Sequence, residues 1–432
     1  MFRRAEARDD SPSRKHRDAN HASHWQSRRR SWIPRRLLRS ALPRVLISLT
    51  LLWTVFDAHA VHHAYARGRI TPPRGNLLQQ RLFIASIHWN NENILRSHWN
   101  DAVLDLMQTF GRNNTFLSIQ ESGSWDDSKG ALNDLDRMLE PGGFRRRFIL
   151  DETTHLDEIS KPPAPSGWID TPRGKKELRR IPYLSRLRNI VLEPLKELAA
   201  VGEKFDKIVF LNDVIFTTRD IQVLLDTRGG HYAAACAMDF SKPPGFYDTF
   251  ALRDSQGHNK LMKQWPYFRS AASRDALKAN QPVPVASCWN GIAVMDAQPF
   301  YDARAPLRFR GVDDSLAKLH VEGSECCLIH ADNPLSSVSG VWLNPDVRVS
   351  YNSEADRVVN PETGAWLSFN TIYWSLWRNR VLRWFTTPYF IDSIVAKRLK
   401  AWRGSSSDDI ETGSVCLVNE MQVLVENGWA HV

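Results

Sequence analysis

The chain has 432 residues, enough for one large domain or two of ordinary size. Its 42% hydrophobic residues and 16 Trp suffice for a real core, while a mean hydropathy of −0.40 excludes a polytopic membrane protein. The net charge of +9 sits in residues 1–44, which hold 13 of the 57 Lys/Arg and 4 of the 48 Asp/Glu; the rest carries 44 of each, so a nucleic-acid partner loses its main support.

In chain order, residues 1–44 are a basic arm without apolar periodicity, read as a disordered cytosolic tail. Val45–Phe56 is an apolar run of 12, short of the roughly 20 residues of a span. Extended over residues 45–66 it takes in Asp57 and three histidines. Basic residues crowd only its N-terminal side, so 45–66 reads as a signal-anchor helix that places the remainder in the secretory lumen. A cleaved signal segment or an apolar arm has the same composition. The sequon Asn113-Asn114-Thr115 agrees with that compartment. Residues 67–80, with Pro72-Pro73 and Gly75, read as a stem.

Residues 81–355 then alternate strand and helix patterns. Strands are expected at Leu82–Ile87, Thr115–Ile119, Arg145–Leu150 and Ile208–Leu211. Between them lie helices at Ile94–Phe110, Ala131–Leu139 and Tyr183–Val201, the last kinked at Pro194, and a loop or flap at 151–180. This rhythm predicts an α/β fold, a mainly parallel sheet flanked by helices. The chain is organised around Lys207–Asp254. There Ile208–Leu211 is a buried-strand run, Asn212 and Asp213 follow at its end, Thr218–Asp226 is a helix, and 231–238 is the next buried strand, with Asp239, Asp248, Arg253 and Asp254 beyond it. Ligands of open α/β sheets bind beyond the carboxyl ends of strands. Acids there suit a hard divalent cation and, through it, a phosphorylated ligand.

Further on, Val283–Ser287 and Leu307–Phe309 read as strands, Val321–His330 as a helix, and Val341–Leu343 and Val347–Tyr351 as edge strands. Residues 356–432 read as a helical extension, flexible after 403. Five cysteines leave at least one unpaired within the chain, and adjacent Cys326 and Cys327 read as buried apolar side chains. There is no Walker loop, GxGxxG or zinc spacing.

The strings FLNDVIFT, YAAACAMDF, PPGFYDTFALRD, SCWNGI, SECCLIHADNP and LNPDVRVSYN, with ESGSWDDSKGAL and RIPYLSRLRNIVLEPL, resemble one family over about residues 82–352. It is the fungal capsule-associated α-1,3-mannosyltransferases, glycosyltransferase family 69. The resemblance implies a GT-A-like catalytic domain in a type II Golgi membrane protein. It implies GDP-mannose as donor, Mn2+ as cofactor, a mannose-containing glycan as acceptor and an α-1,3 product. GT-A folds place a D-x-D at the end of the fourth strand; here Leu211 stands in the first place and Asp213 in the second, with Asn212 or Asp239 to complete the shell. His330 stands where such enzymes add a late ligand, and Glu325 where they place an acceptor-facing acid.

The expected site therefore has Asp213 and His330 on the metal. Glu325, Asp248 and Asp254 are the catalytic or sugar-binding acids, and Asn90, Asn212, Arg253, Trp289 and Asn290 contact the donor or acceptor. His88 and Trp89 stand with Asn90 where a nucleotide base would lie. Each has a structural competitor: a turn Asp, a core His, a salt-bridged Arg, a packed Trp. An α-linked donor and product together mean retention, and no carboxylate is nameable as nucleophile. A non-catalytic scaffold of the same fold, a two-carboxylate glycosidase and a transferase of another sugar nucleotide are the competing readings.

Overall fold

The computed structural model describes residues 41–67, 75–386, 389–404 and 410–432. The basic arm up to residue 40, most of the expected stem and the 405–409 part of the expected flexible stretch lie outside them. Two compact units divide the chain, one ending at Leu51 and one running from Leu52 to Val432. In the first, residues 41–51 are helical and expose Leu42, Val45, Leu46, Ile47, Leu49 and Leu51. That helix, α1 (Ala41–Arg67), continues into the second unit.

The second unit is built on a ten-stranded sheet. Its strands are β1 (Leu82–His88), β2 (Thr115–Ser122), β3 (Arg146–Asp151), β4 (Lys207–Leu211), β5 (Ala234–Lys242), β6 (Gly245–Phe246), β7 (Arg253–Asp254), β8 (Val283–Ser287), β9 (Ile292–Asp296) and β10 (Val341–Ser350). The order is β3-β2-β1-β4-β9-β5-β10-β8-β7, with β6 on β5. The first four strands are mutually parallel and β5 pairs in parallel with β10. β9 runs antiparallel to both β4 and β5, β8 to β10 and β7, and β6 to β5. Seven strands thus share one direction, and only β6, β8 and β9 oppose it. The mainly parallel sheet is as the sequence predicts.

Alternation within strands divides the core. Phe83, Ala85, Phe210 and Cys236 point to one face; Leu82, Ile84, Val209 and Ala235 point to the other. Both faces are covered, and β4 is buried throughout, so these strands read as continuous apolar runs. Helices α2 (Asn100–Phe110), α3 (Ser128–Leu139) and α5 (Thr218–Leu225) supply apolar residues to the second face, and α4 (Arg180–Val191) lies against β1 and β2. Pro194 opens a new helix, Glu193–Ala200, rather than kinking a single one, because the first turn of a helix tolerates its missing N–H.

Four other expectations change. Leu307–Phe309 is not a strand. The two expected edge strands are one, β10, which lies inside the sheet; Asn344-Pro345 reads as a break but sits in a register shift between Leu343 and Arg348 that lets pairing resume. Cys327 bonds Cys416 and Cys236 bonds Cys288, so of the adjacent pair only Cys326 is a free buried thiol. The C-terminal region is only partly helical. Helix α6 (Glu325–Asp332) precedes it; after its own α7 (Phe369–Phe385) and α8 (Tyr389–Arg403), it ends in a hairpin of Gln422–Val425 and Gly428–His431.

The second half of the expected anchor is also packed on the domain. Ala58, Val61 and Tyr65 are buried. The Tyr65 hydroxyl donates to the Leu277 carbonyl (2.8 Å), and its ring meets Trp265 and Trp366 edge-on. Asp57 is held by both Lys278 and Arg380 at 2.7 Å.

Candidate active site

The carboxyl ends of β1, β4 and β5 open on one edge of the sheet. Asp213 is placed there by a strap of backbone hydrogen bonds: Asn212 N–H to Gly291 O, Val214 N–H to Asn212 O and Ile215 N–H to Ser350 O. Asn91, just past β1, donates its Nδ2 to Asp213 Oδ2 (2.9 Å). The Asn91 Oδ1 meanwhile accepts from the Trp89 N–H and contacts His88 Nδ1, so one amide sets three site residues. Burial pushes Asp213 up from the usual carboxyl range to about 6 and His88 down to about 4.

Asp239, fully buried on β5, lies against Asp248, whose N–H it accepts. Asn290 Nδ2 donates to Asp239 Oδ1 (2.9 Å) and to the Asp248 carbonyl (2.8 Å), and the Tyr351 hydroxyl donates to Asp239 Oδ2. Both carboxyls are raised, mainly by burial; for Asp239 the Asp248 charge adds to it. Tyr247 is raised as well, by burial first and then by the charges of Asp213, Asp239 and Asp248. Asn290 adopts a left-handed φ of 46° and Gly291 one of 81°. A Cβ on Gly291 would come within 2.6 Å of Val349 and 3.3 Å of Asp239. The Asn-Gly turn is what brings the Asn290 amide onto the acid pair.

A cavity of about 300 Å³ adjoins Asp213, lined by Ile87, His88, Trp89, Asn91, Ser122, His155, Arg180, Tyr183, Leu184, Leu187, Arg188, Asn212, Leu424, Gly428 and Trp429. Trp89 stacks on His155 at 4.4 Å. Trp89 Nε1 and His155 Nδ1 are buried without a protein partner, two polar atoms at the wall of a cavity that a ligand would satisfy. Arg180 donates to Gln422 Oε1 (2.6 Å) and lies 4.7 Å over Trp429, so the C-terminal hairpin closes one side. Arg188 lies 4.3 Å over Trp289 and donates to Glu325 Oε1 (3.1 Å).

The predicted residues separate on this geometry. Asp213, Asn212, Asp248, Asn290, Trp289 and Glu325 belong to one connected cluster. Asn212 Oδ1 accepts from Trp289 Nε1 (3.1 Å), and Trp289 packs beneath Arg188 against Phe210 and Phe309. Glu325 is buried and touches Arg188 and Cys326, so it reaches the cavity through Arg188. Four residues are placed otherwise. Asn90 carries the loop: its N–H goes to Ser124 Oγ and its Oδ1 takes the Trp125 N–H, and Asn91 holds the place facing the cavity. The Arg253 guanidinium donates to the carbonyls of Phe250, Leu252, Val415 and Cys416, which ties down the C-terminal segment. Asp254 accepts the N–H groups of Gln256, His258 and Ser270 and closes its own loop. His330 is sealed in the core, its Nε2 on the Cys288 carbonyl (2.7 Å), and burial lowers it to about 4. Its ligand atom lies within 4.8 Å of the sulfurs of Cys236 and Cys288, but both are spent on their disulfide.

Sequence reasoning missed Arg180, Arg188, Asn91, His155, Tyr183 and Trp429. The two arginines, eight apart, share one face of α4, a spacing visible in RIPYLSRLR. Asp213 offers the oxygen donors that a hard divalent cation takes, but its carboxylate and those of Asp239 and Asp248 do not all lie within 4.8 Å of one another; among the described residues only His330 and the two disulfide sulfurs are grouped so closely.

A family model described as cryptococcal mannosyltransferase 1 matches residues 81–332, more than half of the chain. The α-1,3-mannosyltransferase CMT1 of Cryptococcus neoformans var. neoformans serotype D is 27% identical over 225 residues. That alignment spans 46% of either protein, so the chain covers about half the length of this curated relative. Among solved structures, mannosyltransferase PcManGT of Pyrobaculum calidifontis, in complex with GDP-Man and Mn2+, has a TM-score of 0.35 and 11% identity, covering 84% of this chain and 87% of its own. S. aureus TarS 1-349 has a TM-score of 0.36 and 9% identity, covering 74% and 80%.

Proposed function

Because the chain belongs to the cryptococcal mannosyltransferase 1 family, we propose that it moves mannose from GDP-mannose to a mannose-containing glycan, forming an α-1,3 linkage with retention of configuration. The reading includes a type II anchor at α1 and a luminal Golgi site. The observation that carries it is Asp213, half-buried at the end of β4 and joined through the Asn290-Gly291 turn to the Asp239–Asp248 pair, beside a cavity walled by Arg180 and Arg188.

The base lies in the cavity against the Trp89–His155 stack, whose two unpartnered nitrogens give it hydrogen-bond donors or acceptors. The diphosphate lies toward Arg180 and Arg188. Asp213, with Asp239 or Asp248, would hold the divalent cation, Mn2+ in the family reading. When bound, it offsets the charge that grows on the departing diphosphate. Arg188 brings positive charge to the same place, and Glu325 fixes its guanidinium there. Trp289, beneath Arg188, and Asn290, on the acid pair, hold the sugar-facing wall in shape. No side chain is assigned as a nucleophile; the leaving diphosphate guides the acceptor hydroxyl on the same face.

The test is a donor panel of GDP-mannose, GDP-fucose, UDP-xylose and UDP-galactose, with and without Mn2+, using the full chain in detergent and linkage analysis of the product. Mn2+-dependent transfer from GDP-mannose alone supports the reading. Transfer from a UDP-sugar replaces the donor, and no turnover or donor binding leaves a non-catalytic scaffold.

A further inference from the structure

Helix α7 presents an outer face on which the large apolar side chains stand exposed and Arg378 donates to Gln264 Oε1 (3.0 Å) at its edge. Ile372, Leu376 and Asn379 pack inward, while Trp374 (68% exposed), Val381, Trp384 (58%) and Phe385 (81%) stand outward. Trp374, Arg378, Val381 and Phe385 recur at i, i+4, i+7 and i+11, one stripe of the helix. Scattered exposed apolar residues are ordinary; a stripe of them that carries one Trp and is flanked by a second, Trp384, marks a contact surface.

Continuity and charge say what covers it. The Arg380 guanidinium donates to Thr54 Oγ1 (2.5 Å) and Asp57 Oδ2 (2.7 Å) and lies 3.9 Å over the Trp53 ring. It joins α7 to a stretch of α1 where Leu52, Trp53, Val55 and Phe56 (71%) are exposed as well. Among the described residues α1 is the one helix long and apolar enough to cross a membrane. Its uncharged stretch after Arg44 ends at Asp57, which Lys278 and Arg380 hold on the domain. Even from Ala41 to Phe56, 16 residues rise about 24 Å, less than the ~30 Å hydrocarbon thickness. A short crossing draws its flanks to the lipid boundary. Residues 369–403 beside it hold 7 Lys/Arg against one Asp, and Trp with Arg is the composition of a membrane interface.

We propose that the outer face of α7 lies in the headgroup region of the phospholipid bilayer that α1 crosses, with Trp374, Val381, Trp384 and Phe385 at the acyl boundary and Arg378 among the phosphates. The catalytic domain is then seated on the membrane rather than held away on a stalk. This rests on α1 being the membrane helix, and the experiment separates the two.

The full chain is reconstituted in phosphatidylcholine–phosphatidylglycerol vesicles with an environment-sensitive fluorophore on Leu49→Cys, Phe385→Cys, Trp374→Cys or, as an exposed control, Val201→Cys. Brominated acyl chains serve as quencher. The expected result is a blue shift and quenching at 49, 374 and 385 and neither at 201. Quenching at 49 with 374 and 385 as aqueous as 201 overturns the inference and leaves the anchor. No quenching at any position overturns both. Cross-linking of Phe385→Cys between copies in detergent, with 374 and 385 unquenched in vesicles, overturns it in favour of a self-contact.

Discussion

Asn91 touches Asp213, Trp89 and His88 through one amide, so its loss should disturb both the acid and the aromatic wall. Asn91→Ala is expected to lower kcat and raise the donor KM together, measured by steady-state transfer. Glu325→Gln removes the charge facing Arg188 in a buried pair. Breaking such a pair costs on the order of 3 kcal/mol, read as a lower unfolding midpoint, and Arg188→Met with Glu325→Gln should recover part of it. Gly291→Ala should destabilise through its positive φ and the close approach to Val349, again by thermal unfolding. At this scale Asp213 was legible because an acid directly after a buried apolar run stands at a strand end, where open sheets bind their ligands. Arg188 was not: an arginine on a helix reads as solvated until the fold shows Trp289 under it. His330 and Asp254 misled because buried polar residues that satisfy backbone groups have the same letters as ligands.

Among the elements, the hairpin at 422–431 matters most. It reaches the cavity through Leu424, Gly428 and Trp429, about 90 residues beyond the matched family segment. The Cys327–Cys416 bond and the carbonyls that Arg253 holds fix the segment that leads to it. Trp429→Ala is expected to raise the donor KM about 10-fold with little change in the unfolding midpoint, since it removes one cation–π wall. Cys416→Ser should do more, lowering stability by about 2–5 kcal/mol as well. The hairpin had a signal, alternating apolar residues around Asn427-Gly428, but helical spacing at 370–403 dominated the reading of the whole extension. The strands of the parallel block were legible within a residue or two, except that β2 runs three residues further. Their apolar runs are too short for helices and have turn residues between them.

For the whole molecule, the sheet's common direction is what puts acids from separate strands at one edge. Periodicity gave the strand–helix rhythm; it could not give the reversal of β9, which inserts between β4 and β5 and sets the spacing of Asp213 and Asp239. The acids make stability depend on pH. Asp213 is raised on folding from 3.8 to about 6, and Asp239 is raised too. A carboxyl raised in this way favours the native state while protonated, and that contribution is lost as pH climbs through the folded value. The cation-free protein should therefore lose stability between about pH 4 and about pH 8, and Mn2+ should raise the unfolding midpoint more near pH 7.5 than near pH 5. The most direct measurement is Mn2+ binding to the full chain by electron paramagnetic resonance, with and without GDP, beside mannosyl transfer, for wild type and Asp213→Ala. One Mn2+ per wild-type chain, tightened by GDP, with both binding and transfer falling at least ~10²-fold in the variant, is the expected result. A variant that binds Mn2+ and transfers mannose like wild type would contradict a metal site built on Asp213.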